Sequence, residues 1–103
     1  MPPFLGDPRV VINPRGRYHV TIGDPVEIEC FGYGFPVPTL KMKYPLGVKE
    51  LSTGRISIAE RRGYYRISFM ASTMFSGKYT CHGKSSLGSK HDWVNIQGNV
   101  FLL

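Results

Sequence analysis

Phe75-Ser76-Gly77-Lys78-Tyr79-Thr80-Cys81 carries two signals in seven residues. In an extended chain successive side chains point to opposite faces, so Tyr79 and Cys81 share one side and Lys78, Thr80 and His82 the other. The same period of two recurs up and down the chain. Val26, Ile28 and Cys30 alternate with Glu27, Glu29 and Phe31, and Leu40 and Met42 with Lys41 and Lys43. Further on, Ile56 and Ile58 alternate with Ser57 and Ala59, and Tyr65 and Ile67 with Arg66 and Ser68. Val94 and Ile96 then alternate with Trp93 and Asn95. No window of comparable strength repeats at 3.6 residues, so helices are not expected. Turn chemistry separates the runs: Gly23-Asp24-Pro25, Gly34-Phe35-Pro36, Pro45-Leu46-Gly47, Ser52-Thr53-Gly54 and Leu87-Gly88. Many short strands joined by turns predict an all-β antiparallel sandwich or barrel.

Length bounds the answer to one domain with a modest core, since the chain has 103 residues. A hydrophobic content of 42% is that of an ordinary globular protein, which argues against disorder. No run of ~18 apolar residues is present to cross a membrane as a helix. Met1 is followed by Pro2 and Pro3 rather than by a basic-then-apolar leader, so the chain is expected to be part of something longer. Residues 1–8, with Pro2, Pro3 and Pro8, read as a linker, 9–97 as the domain, and 98–103 as a linker stub or a start toward a neighbour. Cys30 and Cys81 lie 51 residues apart, too few cysteines for a Cys-based zinc site and without a C-x-x-C spacing. One long-range disulfide in an oxidising compartment is the natural reading; a pair of buried reduced thiols in a cytosolic domain is the alternative.

The stretch around Cys81 resembles the D-x-G-x-Y-x-C signature of the immunoglobulin superfamily, with Gly77, Tyr79 and Cys81 matching and Phe75 standing where the family has Asp. Gly23 to Cys30 is similar to the family's entry into its second strand. Gly34-Phe35-Pro36-Val37-Pro38 resembles the G-x-P-x-P turn of intermediate-set domains, and Tyr65-x-Ile67-x-x-Met70 the family's L-x-I-x-x-V strand. The resemblance covers roughly residues 9–97. It implies a two-sheet antiparallel sandwich with an inter-sheet Cys30–Cys81 disulfide. It also implies a Tyr79 hydroxyl bonded back to the backbone near its strand's start. Met42 occupies the place of the family's core Trp, which makes this a divergent member in which Met42 fills the slot beside the bridge. Leu40-Lys41-Met42-Lys43-Tyr44-Pro45-Leu46, followed by Arg61-Arg62-Gly63-Tyr64, also resembles the ligand-binding second immunoglobulin domain of vascular endothelial growth factor receptors.

Nothing in the sequence suggests an enzyme. The cysteines are committed, the histidines His19, His82 and His91 lack metal-ligand spacing, and the carboxylates form no acid–base pair. No cofactor, metal, nucleic acid or membrane insertion is expected. The formal charge of +6 biases association toward acidic partners. In the sandwich that the resemblance implies, the outward residues of three strands share one sheet face, and strand parity makes these Lys41, Lys43, Thr80, His82, Lys84, Trp93 and Asn95. There Trp93 is either an interface anchor or a core residue, and Lys41, Lys43, Lys84 and Trp93 are the candidate partner-binding set. Arg55, Arg61, Arg62 and Arg66, with Arg15 and Arg17 as additions, are a candidate anion site or else a solvated strand edge. The expected function is a binding module of an extracellular or cell-surface receptor or adhesion protein, recognising a protein ligand that is acidic or sulfated. The alternatives are a cytoplasmic spacer of a giant sarcomeric or cytoskeletal protein, and binding of a heparan-sulfate-type glycosaminoglycan.

Overall fold

Eight strands and one short 3-10 turn make up the described part of the chain. The structure, a computed structural model, describes residues 6–45 and 56–99. The strands are β1 (Gly6–Asn13), β2 (Gly16–Thr21), β3 (Pro25–Phe35), β4 (Thr39–Lys43), β5 (Ile56–Arg61), β6 (Tyr64–Met70), β7 (Gly77–Ser85) and β8 (Gly88–Asn99), with the 3-10 turn at Thr73–Phe75. They form two four-stranded sheets in the orders β1-β3-β6-β5 and β2-β8-β7-β4. All neighbours are antiparallel except β2 and β8. This is an all-β, two-layer immunoglobulin-like sandwich.

The inward parity read from the sequence is the one the core uses. Val26, Ile28 and Cys30 from β3 meet Tyr65, Ile67 and Phe69 from β6, and across the layer Tyr79, Cys81, Val94 and Ile96. The Cys30–Cys81 disulfide joins the sheets at a Cα separation of 6.5 Å. One inward position and one family-matched position behave differently. Ile58 is 53% exposed because β5 is the edge of its sheet, with no further strand beside it among the described residues. Met70 is exposed and Phe69 takes the buried place, so the likeness of Met70 to the family's third strand position is out of phase with the pleat.

Both ends of the domain reach past the expected bounds of 9 and 97. Gly6 pairs with Phe35, so β1 begins inside the stretch read as a linker; Pro8 is tolerated there because β1 is an edge strand. Pro14 cannot continue a ladder and Gly16 turns at φ 73°, and between them the chain leaves the first sheet for the second. There β2 lies along β8, pairing Val20 with Gly98 and Thr21 with Asn99. Ser52-Thr53-Gly54 and Arg55 lie outside the described residues, as do Leu46 and Gly47.

The motif residues hold the end of β7. The Tyr79 hydroxyl donates to the Phe75 carbonyl at 2.6 Å. Phe75, standing where the family has Asp, is buried, its ring 5.0 Å from Phe69. Gly77 sits at φ 138°, and a Cβ there would come within 2.7 Å of Pro45, so both conformation and space require glycine. Met42 lies directly across from Cys81, half-buried and packed on the core.

Candidate functional site: a cationic sheet face

The fold sorts charges between its two sheets. Strands β2, β4, β7 and β8 carry Arg17, Lys41, Lys43, Lys78, Lys84 and Lys90 against one carboxylate, Asp92. Strands β1, β3, β5 and β6 carry Arg9, Arg61 and Arg66 against Asp7, Glu27, Glu29 and Glu60.

Asp92 does not offset its sheet's charge at the surface, because it points inward and is 8% exposed. It accepts from the Ile12 amide at 3.1 Å, the Trp93 amide at 3.0 Å and Arg15 Nε at 3.3 Å. A carboxylate on the inward side of an apolar alternation was the available sequence signal for this role. Arg15 is thereby tied to Asp92 and does not join the other arginines.

Register lays the outward residues of β4, β7 and β8 in rows. Thr39, Lys84 and Ser89 form the first, Lys41, His82 and His91 the second, Lys43, Thr80 and Trp93 the third. Lys78 and Asn95 come next, and Arg17 on β2 continues that row. Rows along a strand are ~6.8 Å apart and neighbouring strands ~4.8 Å apart, so these cations occupy one continuous surface. Trp93 is 36% exposed, which places its ring on this face and not in the core. Lys78 Nζ lies 4.9 Å from the ring centroid. Sequence reasoning placed Lys78 outward but left it out of the candidate set, because its approach to Trp93 is diagonal and depends on the β7–β8 register. The His82 and His91 rings stand 5.6 Å apart. Partial burial holds the His82 imidazole below its ordinary pKa, and Lys43 and His91 push in the same direction.

The described arginines of the second candidate set, Arg61, Arg62 and Arg66, stand among carboxylates and an aromatic ring. Arg61 stacks 4.5 Å from the centroid of Tyr64, and with Arg62 it lines a 380 Å³ depression that also contains Glu60. Arg66 stands across from Glu29, the carboxylate to which the Tyr64 hydroxyl donates at 2.6 Å. That bond raises the Tyr64 pKa. Arg17 lies on the other sheet. Among the described residues no group of three or more His, Cys, Asp or Glu could hold a metal ion.

The chain matches no protein-family model and no curated protein. Solved structures do match. The tandem immunoglobulin domains A164-A165 of titin align over 94% of this chain and 51% of that one, at 15% identity and a TM-score of 0.73. Titin M4 aligns over 89% and 95%, at 19% identity and 0.68. The complex of titin M10 with an obscurin-like 1 immunoglobulin domain aligns over 95% and 100%, at 18% and 0.67. At these identities the likeness shows the fold alone.

Proposed function

We propose that this domain is a non-enzymatic protein-recognition module whose β2-β8-β7-β4 face docks an acidic partner, with Trp93 as anchor and Lys41, Lys43, Lys78 and Lys84 around it. The observation that carries the reading is the sorting of charge: an exposed tryptophan stands on a sheet face whose described residues bear cations and no carboxylate. Cations around such an anchor speed encounter and make binding salt-sensitive, while the desolvated ring slows dissociation. A surface that merely solvated the sheet would mix both signs, as the opposite sheet does.

The test is titration of a Glu-rich peptide, read by calorimetry or by the fluorescence of Trp93, the one tryptophan in the chain. Lys41→Glu/Lys43→Glu should weaken binding about tenfold or more, since like charges brought together cost on the order of kcal/mol. The same reversal on the other sheet, Arg61→Glu/Arg66→Glu, should change it less than about twofold. Equal losses from both pairs would reduce the effect to net charge and remove the face from the reading.

The Cys30–Cys81 bridge supports an oxidising compartment, and with it an extracellular or cell-surface parent. The likeness to titin domains favours a second reading, a cytoplasmic sarcomeric spacer. Domains of that kind in the matched structures meet protein partners, an obscurin-like immunoglobulin domain in one and telethonin in another. Intact mass of the protein prepared with thiols blocked at lysis separates the two: an oxidised pair supports the first, a reduced pair the second. Retention on heparin that outlasts binding to the acidic peptide as salt rises would point instead to a glycosaminoglycan.

A further inference from the structure

The first two rows of the cationic face enclose a feature that the acidic-partner reading does not use. Thr39, Lys41, His82, Gly83, Lys84 and Ser89 line a depression of about 400 Å³ where β4, β7 and β8 run together. Every polar side chain around it can donate a hydrogen bond: two hydroxyls, two ammoniums and an imidazole. None is a carboxylate. Thr39 and Ser89 flank Lys84 in one row and Lys41 faces His82 in the next. Thr39, Lys84, Lys41 and His82 therefore spring from one cell of about 5 by 7 Å, while Ser89, two strands from Thr39, stands about 10 Å from it. Charge-assisted bonds of ~2.7–2.9 Å to different oxygens of one tetrahedral centre put their donors roughly 6 Å apart. A carboxylate has two oxygens and one charge, whereas an ester of phosphate has three free oxygens and nearly two charges, and sulfate has the same three oxygens. The two ammoniums and the Thr39 hydroxyl beside them suit the tetrahedral group better.

We infer that this depression receives a phosphate or sulfate monoester carried by the acidic partner, with Lys41, Lys84 and Thr39 as its donors. The inference rests on the acidic-partner reading and adds to it the chemistry of one partner side chain. Lys43, Lys78 and Trp93, one row and more away, remain for the partner's carboxylates and apolar contact.

A Glu-rich peptide with one central Tyr, used unmodified, phosphorylated and sulfated, tests this by Trp93 fluorescence. The esterified peptides should bind about tenfold more tightly than the unmodified one, the size expected of a few hydrogen bonds to a charged group. Thr39→Val, which changes no charge, should cut that gain to about threefold or less while leaving the unmodified peptide's affinity in place. Unchanged melting of that variant would show that the fold is intact. A gain confined to one ester identifies the group as phosphoryl or as sulfuryl. Binding of all three peptides with equal affinity would overturn the ester site and leave the acidic-partner reading standing. A gain that survives intact in the Thr39→Val variant would also overturn it, by placing the ester elsewhere. Failure of every peptide to bind would remove the acidic-partner reading and this inference together.

Discussion

Asp92 shows how one charged side chain of a sheet can be structural while the cations on that sheet's outer side face solvent. Its buried carboxylate accepts the amide of Ile12, a residue itself 1% exposed, and so ties β1 to β8. Asp92→Ala would strand that amide and should cost about 1–3 kcal/mol in chemical denaturation. Arg15→Ala, at a side chain that is mostly exposed, should cost less than ~1 kcal/mol although it breaks the same ion pair. His82 gives the face a pH dependence. The folded state resists protonation there, chiefly through partial burial, then through Lys43 and His91, while Lys41 stands directly across the ladder. Below its ordinary value of 6.5 the unfolded chain therefore binds the proton more readily. Stability should accordingly fall as pH drops from 6.5 toward the folded-state pKa. Melting curves at pH 7.5 and 5.5 should show a smaller drop for His82→Gln than for the unaltered protein.

At the scale of the element, β7 is the strand on which the molecule converges. It supplies Cys81 and Tyr79 to the core and Lys78, His82 and Lys84 to the outer face. Its start is anchored by the Tyr79 hydroxyl on the Phe75 carbonyl, and burial raises the pKa of that hydroxyl. Tyr79→Phe should lower stability by about 1–2 kcal/mol, the value of a buried bond whose acceptor is left unpaired. The Trp93 ring and its acidic-peptide affinity should be untouched, because Tyr79 faces the opposite way. Across the ladder, Met42→Ala opens space beside Cys81. Since Met42 is only half-buried, the cost should be about 1–3 kcal/mol, below that of a fully enclosed methionine.

The whole molecule is a sandwich held by one staple and differing in charge between its two outer faces. Cross-linking residues 51 apart removes unfolded-state entropy worth about 4 kcal/mol on the chain-entropy model, a large share of a small domain's stability. Reduction under native conditions should therefore lower the melting temperature by many degrees, and calorimetry with and without a phosphine reductant measures it. A change of only a degree or two would mean that the core carries the fold without the bridge. The charge difference has its own signature. Affinity for an acidic ligand should fall steeply with salt, while the melting temperature should barely respond, because the cations of the β2-β8-β7-β4 face contact solvent rather than one another.

Alternation by itself determined which residues of β3, β4, β6, β7 and β8 face inward, because a strand's side-chain period of two admits only two answers and Cys30 and Cys81 choose between them. It did so for Trp93 too, once Val94 and Ile96 are taken as core. The Tyr-x-Cys motif implied the hydroxyl bond at the head of β7. Sequence did not delimit β1 or β2, whose apolar residues alternate weakly because an edge strand buries little and tolerates Pro8. Grouping Lys41, Lys43 and Lys84 on one face took the strand order that the family resemblance implies, and Lys78 and Arg17 join them only through the observed register. Lys41, Lys78, Lys84 and Arg17 are scattered along the chain, and only strand order and register bring them side by side. The same registers set Arg66 opposite Glu29, stack Arg61 on Tyr64 and draw Arg15 to Asp92. Parity is local, a matter of one residue and the next. Which strand lies beside which depends on contacts between distant residues, and those exist only once the two sheets have closed on their core.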